Sequence, residues 1–217
     1  MSESSEWITI VIADDHPVAR DGIRKTLAMA PDFKIIGEAE DGEQVITLVD
    51  QLRPQVLLLD LVMPKVTRPA DIERRVREKY PDIVTLVLTA HDRDAYLADM
   101  MEAGVSGYFE KSVRGDRLIA AIRRAARGEF LFDESQLNRA REWRANVKEK
   151  WESLSERERE LLQKIGMGME TKAIAKELGI APKTVEKHLI HLYAKLDVTG
   201  RVEAALWWER NGRDFPH

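Results

Sequence analysis

The 217-residue chain has no cysteine, which excludes disulfides, thiolate zinc sites and cysteine nucleophiles. It has no apolar run approaching the roughly 20 residues that span a bilayer. Its first residues, MSESSEWITIVIADD, lack a basic segment followed by a long apolar stretch, so no signal peptide is read. These absences lead us to expect a cytoplasmic protein with no membrane partner. An excess of positive charge is also missing: the formal net charge is −4. Residues 1–151 carry 23 Lys+Arg against 27 Asp+Glu, and residues 152–217 carry 11 of each. A nucleic-acid partner would therefore have to be met by a local basic face rather than by overall charge. What is present is 44% hydrophobic residues, enough for packed cores, and a length that suits two small domains.

Residues 7–128 alternate short apolar runs with helical periods. The runs are Trp7–Ala13, Lys34–Ala39, Gln55–Leu61, Ile83–Ala90 and Gly107–Phe109. Most are dense in Val, Ile and Leu, as strands covered on both faces are. Between them, Ala19, Ile23, Leu27 and Ala30 share one helical face, Val45, Leu48, Val49 and Leu52 another, and Leu118, Ile122 and Ala125 a third. Residues 70–80 are polar, with only Ile72 and Val76 as apolar anchors for a helix. The order is (βα)5, which implies a doubly wound parallel sheet.

Residues 129–153 place Leu137, Ala140, Trp143, Val147 and Trp151 at spacings of three and four, which predicts a helical linker. An amphipathic helix packed on one domain and a coiled-coil dimer contact both fit it, and two heptads favour the first. Residues 154–217 form a small all-α domain of four helices. Ser155 and Glu158 make a capping box. Thr171 is placed to cap the second helix and Gly179 to stop it; Pro182 suits the first turn of the third, and Thr199 is placed to cap the fourth. Trp207 and Trp208 fit either a dimer contact or a buried core.

Four features fall at the C-terminal ends of separate expected strands: Asp14 with Asp15, Asp60, Thr89 and Lys111. In an open parallel sheet those ends gather around one crevice. Three carboxylates meeting there repel one another unless a cation lies between them, and hard oxygen donors with room for water suit Mg²⁺. A carboxylate so held can attack phosphorus, with Lys111 and Thr89 helping to neutralise the transferred group. The motifs IVIADDHPVAR, LLLDLVMP, VLTA and GYFEK resemble the receiver domain of bacterial two-component response regulators. The resemblance implies that Asp60 is the phosphoacceptor and that Asp14, Asp15 and the Val62 carbonyl serve the metal. Thr89 would follow the phosphoryl group, Lys111 would pair with it, and Tyr108 would be the aromatic switch. Two departures stand out. The turn after Met63-Pro64 usually contains glycine, but here it reads Lys65-Val-Thr-Arg68; Ser112 follows Lys111 where many receivers have proline.

The stretch from Leu154 to Leu206 resembles the LuxR-type helix-turn-helix of the NarL/FixJ regulators. The resemblance is carried by Leu154-Ser-x-Arg-Glu-Arg-Glu, Lys172-x-Ile-Ala-x-x-Leu, Thr184-Val-x-x-His188, Lys195-Leu and Arg201-x-x-Ala204. On residues 182–196, Val185, Leu189, Leu192, Tyr193 and Leu196 make an apolar face, while Lys183, Lys187, His191 and Lys195 follow one another along the opposite side. One buried stripe and one cationic stripe fit a helix lying in a major groove. The resemblance places Glu186, Lys187 and Ile190 toward bases and Thr171, Lys172 and Thr184 toward phosphates, with His188 on the same helix. Glu186 stands where many relatives have lysine, and Ala181 lacks a capping side chain.

The expectation is a transcription regulator rather than an enzyme. It would be phosphorylated on Asp60 by a sensor histidine kinase or a small phosphodonor, with Mg²⁺ as cofactor. It would bind double-stranded promoter DNA as a homodimer, with RNA polymerase as a further partner. The expected domains are a receiver at 7–128, a linker at 129–153 and a DNA-reading domain at 154–217. Two alternatives remain: a receiver-like module that controls DNA binding without phosphorylation, and a Mg²⁺-dependent phosphohydrolase.

Overall fold

The computed structural model describes residues 7–66 and 68–212 together with Phe215. Thr67 of the Lys65–Arg68 turn, residues 1–6 and residues 213, 214, 216 and 217 of the expected C-terminal domain lie outside them. The chain divides into two compact units, Met1–Arg141 and Glu142–His217.

The first unit is the expected (βα)5 fold. Strands β1 (Ile8–Ala13), β2 (Phe33–Ala39), β3 (Val56–Leu59), β4 (Val84–Thr89) and β5 (Gly107–Glu110) form one sheet in the order β2-β1-β3-β4-β5. Every pairing is parallel. All four residues of β3 are buried, which is why the central strand reads as a continuous apolar run. Helices α1 (Pro17–Leu27), α2 (Gly42–Leu52), α3 (Pro69–Lys79), α4 (Asp94–Ala103) and α5 (Gly115–Ala125) connect and follow the strands. One core joins Ile10, Ile12, Val56, Leu58, Leu86 and Leu88 of the sheet to Leu27 of α1 and to Leu118 and Ile122 of α5. The alternate residues Val11, Leu57 and Val87 are equally buried.

The polar stretch after residue 69 is a helix because Pro69 opens it and Ala70, Ile72 and Val76 turn inward with one charged residue, Glu73, which is fully buried. Helix α4 was not singled out by the periodicity. It buries Leu97, Ala98, Met100 and Ala103 and stops at Gly104, whose φ of 100° is in the left-handed region.

Helix α6 (Glu134–Ser153) covers most of the stretch read as a linker, and the division between the units falls inside it. Asp133 starts it: its carboxylate accepts from the Gln136 N–H at 2.8 Å, and the Gln136 side chain accepts from the Asp133 N–H at 3.2 Å. Beyond the division, Trp151 enters the core of the second unit.

The second unit adds α7 (Glu156–Gly166), α8 (Thr171–Glu177), α9 (Pro182–Leu196) and α10 (Arg201–Asn211). The capping box of Ser155 and Glu158 is formed in both directions. Two expected caps are not. Thr171 is already the first helical residue of α8, after Glu170, and its hydroxyl instead accepts from Arg201 at 3.4 Å. Gly200, not Thr199, precedes α10; the Thr199 N–H donates to Glu203 at 2.6 Å, so the carboxylate three residues into the helix reaches back. Ala181 precedes α9 without a side-chain cap, as expected.

Trp207 and Trp208 belong to the core. Trp151 stacks on Phe215 with ring centroids 4.5 Å apart and lies 6.0 Å from Trp208. The Trp208 ring lies on Gly166, where a Cβ would come within 1.8 Å of it. No helix among the described residues is long and apolar enough to cross a membrane.

Candidate functional site

The carboxyl ends of β1, β3, β4 and β5 meet where the strand order reverses between β1 and β3, the position at which open α/β sheets bind ligands. Asp14 and Asp60 are buried there, and Asp15 is half-buried. Asp60 is oriented by its own turn: Oδ1 accepts from the Leu61 N–H at 2.7 Å and from the Val62 N–H at 3.5 Å. Its Oδ2 is left facing the crevice, where it accepts from Lys111 Nζ at 2.7 Å. The same ammonium lies 2.8 Å from Asp14 Oδ2. Burial draws the Lys111 ammonium down, but its contacts with Asp14 and Asp60 outweigh burial and hold it above the usual lysine value. Lysine therefore stays charged and offsets part of the carboxylate repulsion.

That offset is incomplete. One ligand atom from each of Asp14, Asp15, His16 and Asp60 lies within 4.8 Å of the others. Asp14 Oδ2 and Asp15 Oδ1 are buried without a hydrogen bond of good geometry, although each has a cationic or imidazole nitrogen nearby. Buried carboxylate oxygens in that condition fit a small divalent cation, so the donor set suits Mg²⁺. Val62 borders the cluster, with its side chain exposed.

Thr89 ends β4, fully buried, and its hydroxyl accepts from the His91 N–H at 3.1 Å. Tyr108 of β5 is turned inward, and its hydroxyl donates to the His91 carbonyl at 3.1 Å. Burial pushes the Tyr108 phenol well above its usual value, with the Asp92 charge adding to the effect, so it remains a donor. Both residues thus grip one short loop from opposite sides. That loop is also held by α6. Arg139 donates to both oxygens of Asp92 at 2.9 Å and to Asp94 at 2.7 Å, while the Gln136 side chain donates to the Tyr108 carbonyl at 2.8 Å.

In the second unit, α9 buries Val185, Leu189, Leu192 and Leu196 and leaves Tyr193 half-buried. Its other side exposes Lys183, Thr184, Glu186, Lys187, Ile190 and His191, and His188 is half-buried. Ile190 is 65% exposed, a large apolar side chain on the same surface as the cations. Lys172 of α8 is exposed and Thr171 half-buried. Lys195 differs from the expected stripe. Its ammonium donates to Glu158 at 2.7 Å and to the Ser153 carbonyl at 2.9 Å, tying α9 to the start of α7. Lys183, Lys187 and His191 are exposed along this side, while the Lys195 ammonium is engaged by Glu158 and Ser153.

Two family models match this chain: the response regulator receiver domain over residues 10–123, and the bacterial regulatory proteins of the luxR family over residues 152–208. The chain belongs to the NarL/FixJ family of two-component response regulators. It is 34% identical over 223 residues to the transcriptional regulatory protein DegU of Brevibacillus brevis, covering 94% of each chain. It is 35% identical over 210 residues to the nitrate/nitrite response regulator protein NarL of Escherichia coli K12, covering 94% of this chain and 96% of that one. Among solved structures, RcsB of Salmonella enterica serovar Typhimurium, bound to a promoter in the presence of a phosphomimetic, is 25% identical with a TM-score of 0.66, covering 94% of this chain and 98% of that one.

This NarL/FixJ regulator is a DNA-binding transcriptional response regulator of the two-component type, not an enzyme. The turn that sets it apart is accommodated in an unusual way. Lys65 adopts the left-handed backbone that glycine ordinarily supplies, with φ of 60°. Its ammonium bonds Glu43 at 2.8 Å and Asp41 at 3.1 Å, at the start of α2. Sequence reasoning missed His16, Glu73 and Arg139. His16 follows the acidic pair directly and was legible as a possible donor. Glu73 and Arg139 carry no local signal, because their partners come from other elements.

Proposed function

We propose that Asp60 accepts a phosphoryl group from a partner histidine kinase or a small phosphodonor, and that the phosphorylated chain dimerises and binds promoter DNA. The observation carrying this reading is the Asp60 oxygen facing Lys111 at 2.7 Å beside two further carboxylates, at the sheet's switch point. In transfer, that oxygen forms the new bond to phosphorus as the donor's P–N or P–O bond breaks and its leaving group departs with the electron pair. Asp14, Asp15, Asp60 and the Val62 carbonyl would hold Mg²⁺, which would supply charge neutralisation for the transferred group.

The protein's own groups then respond. Lys111 exchanges a carboxylate partner for a phosphoryl oxygen. The Thr89 hydroxyl, now occupied by the His91 N–H, turns toward that oxygen and releases the loop. Tyr108, bonded to the same loop through the His91 carbonyl, follows it. The change shifts a population toward the DNA-binding dimer.

On the DNA side, Lys172, Lys183, Thr171 and Thr184 contact phosphates, while Glu186, Lys187 and Ile190 face base edges, with His188 and His191 beside them. Glutamate accepts from cytosine N4 and repels phosphate, so Glu186 narrows the preferred sequence. A homodimer reads two half-sites. Residues 7–128 serve as receiver, 129–153 as linker and 154–217 as reader, acting in the cytoplasm with RNA polymerase as a further partner.

The test is intact-mass measurement after treatment with a small phosphodonor and Mg²⁺, followed by selection of bound DNA from a random pool. One phosphoryl adduct is expected, lost in Asp60→Asn, with tighter DNA selection by the modified form. No adduct, or an adduct that survives Asp60→Asn, would favour control of DNA binding without phosphorylation.

A further inference from the structure

We infer that Ile190 recognises the C5 methyl group of a thymine in the major groove, about two base pairs from the cytosine that Glu186 selects. The inference rests on the DNA-reading surface proposed for α9 and adds a base and a chemical group to it.

The buried apolar stripe of α9 is complete without Ile190: Val185, Leu189, Leu192 and Leu196 fill it. Ile190 lies off that stripe and is 65% exposed. One turn before it on the helix surface stand Glu186 and Lys187, both exposed. One turn after it stands Ala194, exposed and too short to cover it. The other large apolar side chains exposed in this unit, Met167, Val202 and Leu206, lie outside α9. A branched hydrocarbon is thus held out among polar neighbours, on the surface that carries Lys183, Lys187 and His191.

The isoleucine side chain has no donor or acceptor, so it gives nothing to a phosphate and bonds no base edge. In the major groove guanine presents N7 and O6, adenine N7 and N6, and cytosine N4. Burying those groups against hydrocarbon removes their water and returns no hydrogen bond. Thymine is the base that presents a methyl group there, and covering it with isoleucine takes apolar surface of both partners out of water. β-Branching leaves isoleucine one strongly preferred rotamer on a helix, so little freedom is lost on docking. The four residues from Glu186 to Ile190 advance about 6 Å along the helix, close to two steps of about 3.4 Å along the DNA.

Full-length protein treated with a small phosphodonor and Mg²⁺ is first used to select DNA from a random pool. Each thymine of the selected duplex is then replaced singly by deoxyuridine, which lacks only the methyl group. Fluorescence anisotropy is expected to show about fourfold weaker binding for a single thymine of each half-site, about two base pairs from a cytosine. Ile190→Ala should weaken binding to the parent duplex by a similar factor, and in that variant the deoxyuridine should cost nothing further. The salt dependence of its affinity should stay as in wild type, because no phosphate contact is lost. Selection repeated with Ile190→Lys should exchange that thymine for guanine. Deoxyuridine that costs nothing at any position, or costs the same in wild type and Ile190→Ala, overturns the inference and leaves the DNA-reading surface of α9 standing. A loss in Ile190→Ala that is equal on every duplex marks a contact with a second copy of the chain and overturns it too. A pool from which no sequence is selected overturns both readings.

Discussion

Glu73 shows how much one buried carboxyl can weigh. It lies on α3 with one oxygen accepting from Arg77 at 3.3 Å, and its other oxygen is buried beside the buried Thr85 hydroxyl. Burial pushes its carboxyl up to about 7 against the opposing pull of Thr85 and Arg77. The native state therefore holds this proton more tightly than the unfolded chain does. Stability is greatest below the ordinary value near 4.5, falls as pH rises toward 7, and levels off above it. Glu73→Gln removes this titration. Relative to wild type, the variant should gain on the order of 1–3 kcal/mol between pH 5 and pH 8, read from urea unfolding at the two pH values. Parallel pH profiles for the two proteins would show that Glu73 does not titrate with folding. No periodicity could have revealed this residue, because its burial follows from how α3 lies on β4. Asp60, Thr89 and Lys111 were legible for the opposite reason: each ends an apolar strand, and parallel strands bring their ends together whatever else the chain does.

At the level of elements, the strands were the easiest part to read. Coverage on both faces turns them into unbroken Val, Ile and Leu runs. Helix α4 gave little periodic signal because its buried face is built from Leu97, Ala98 and Met100 among acidic neighbours. On α9 a contact from another element adds what spacing alone does not show. Spacing places Lys195 in line with Lys187, but Glu158, 37 residues away in sequence, claims its ammonium. Burial pushes the Glu158 carboxyl up, but Lys195 and the two Ser155 hydrogen bonds together outweigh it and hold the carboxyl below its usual value. The N-terminus of α9 is the weak point of the helix-turn-helix. Ala181 has the extended backbone of a capping residue, φ −70° and ψ 143°, without an oxygen to cap with. Ala181→Ser should therefore stabilise the protein by about 1 kcal/mol, seen as a higher urea midpoint with an unchanged slope. A midpoint that stays put or falls would mean that the first turn of α9 is already satisfied in another way.

For the whole molecule, the net charge of −4 leaves DNA binding to a few cations on one surface. Each lysine on a phosphate releases counterions, so the salt dependence of binding counts those contacts. Lys183→Ala and Lys172→Ala should each reduce the slope of log affinity against log salt by about 1, as the loss of a phosphate contact does. Lys195→Ala should leave the slope unchanged, because its ammonium is held by Glu158 and Ser153. A slope that falls with Lys195→Ala but not with the other two would move the DNA-facing surface of α9. Fluorescence anisotropy across a salt series measures all three.

The three hydrogen bonds that Arg139 donates to Asp92 and Asp94 have a mechanical consequence. These acids stand three and five positions past Thr89, in the segment whose carbonyl at His91 Tyr108 also holds. Arg139 in turn belongs to the second turn of α6. The segment can swing only by tearing free of its mooring or by towing the front of a 20-residue helix behind it. Under the phosphorylation proposed for Asp60, a displacement of ångströms beside that carboxylate would become either a loosened tether or a shifted first part of α6, and the strength of one guanidinium's grip would set which.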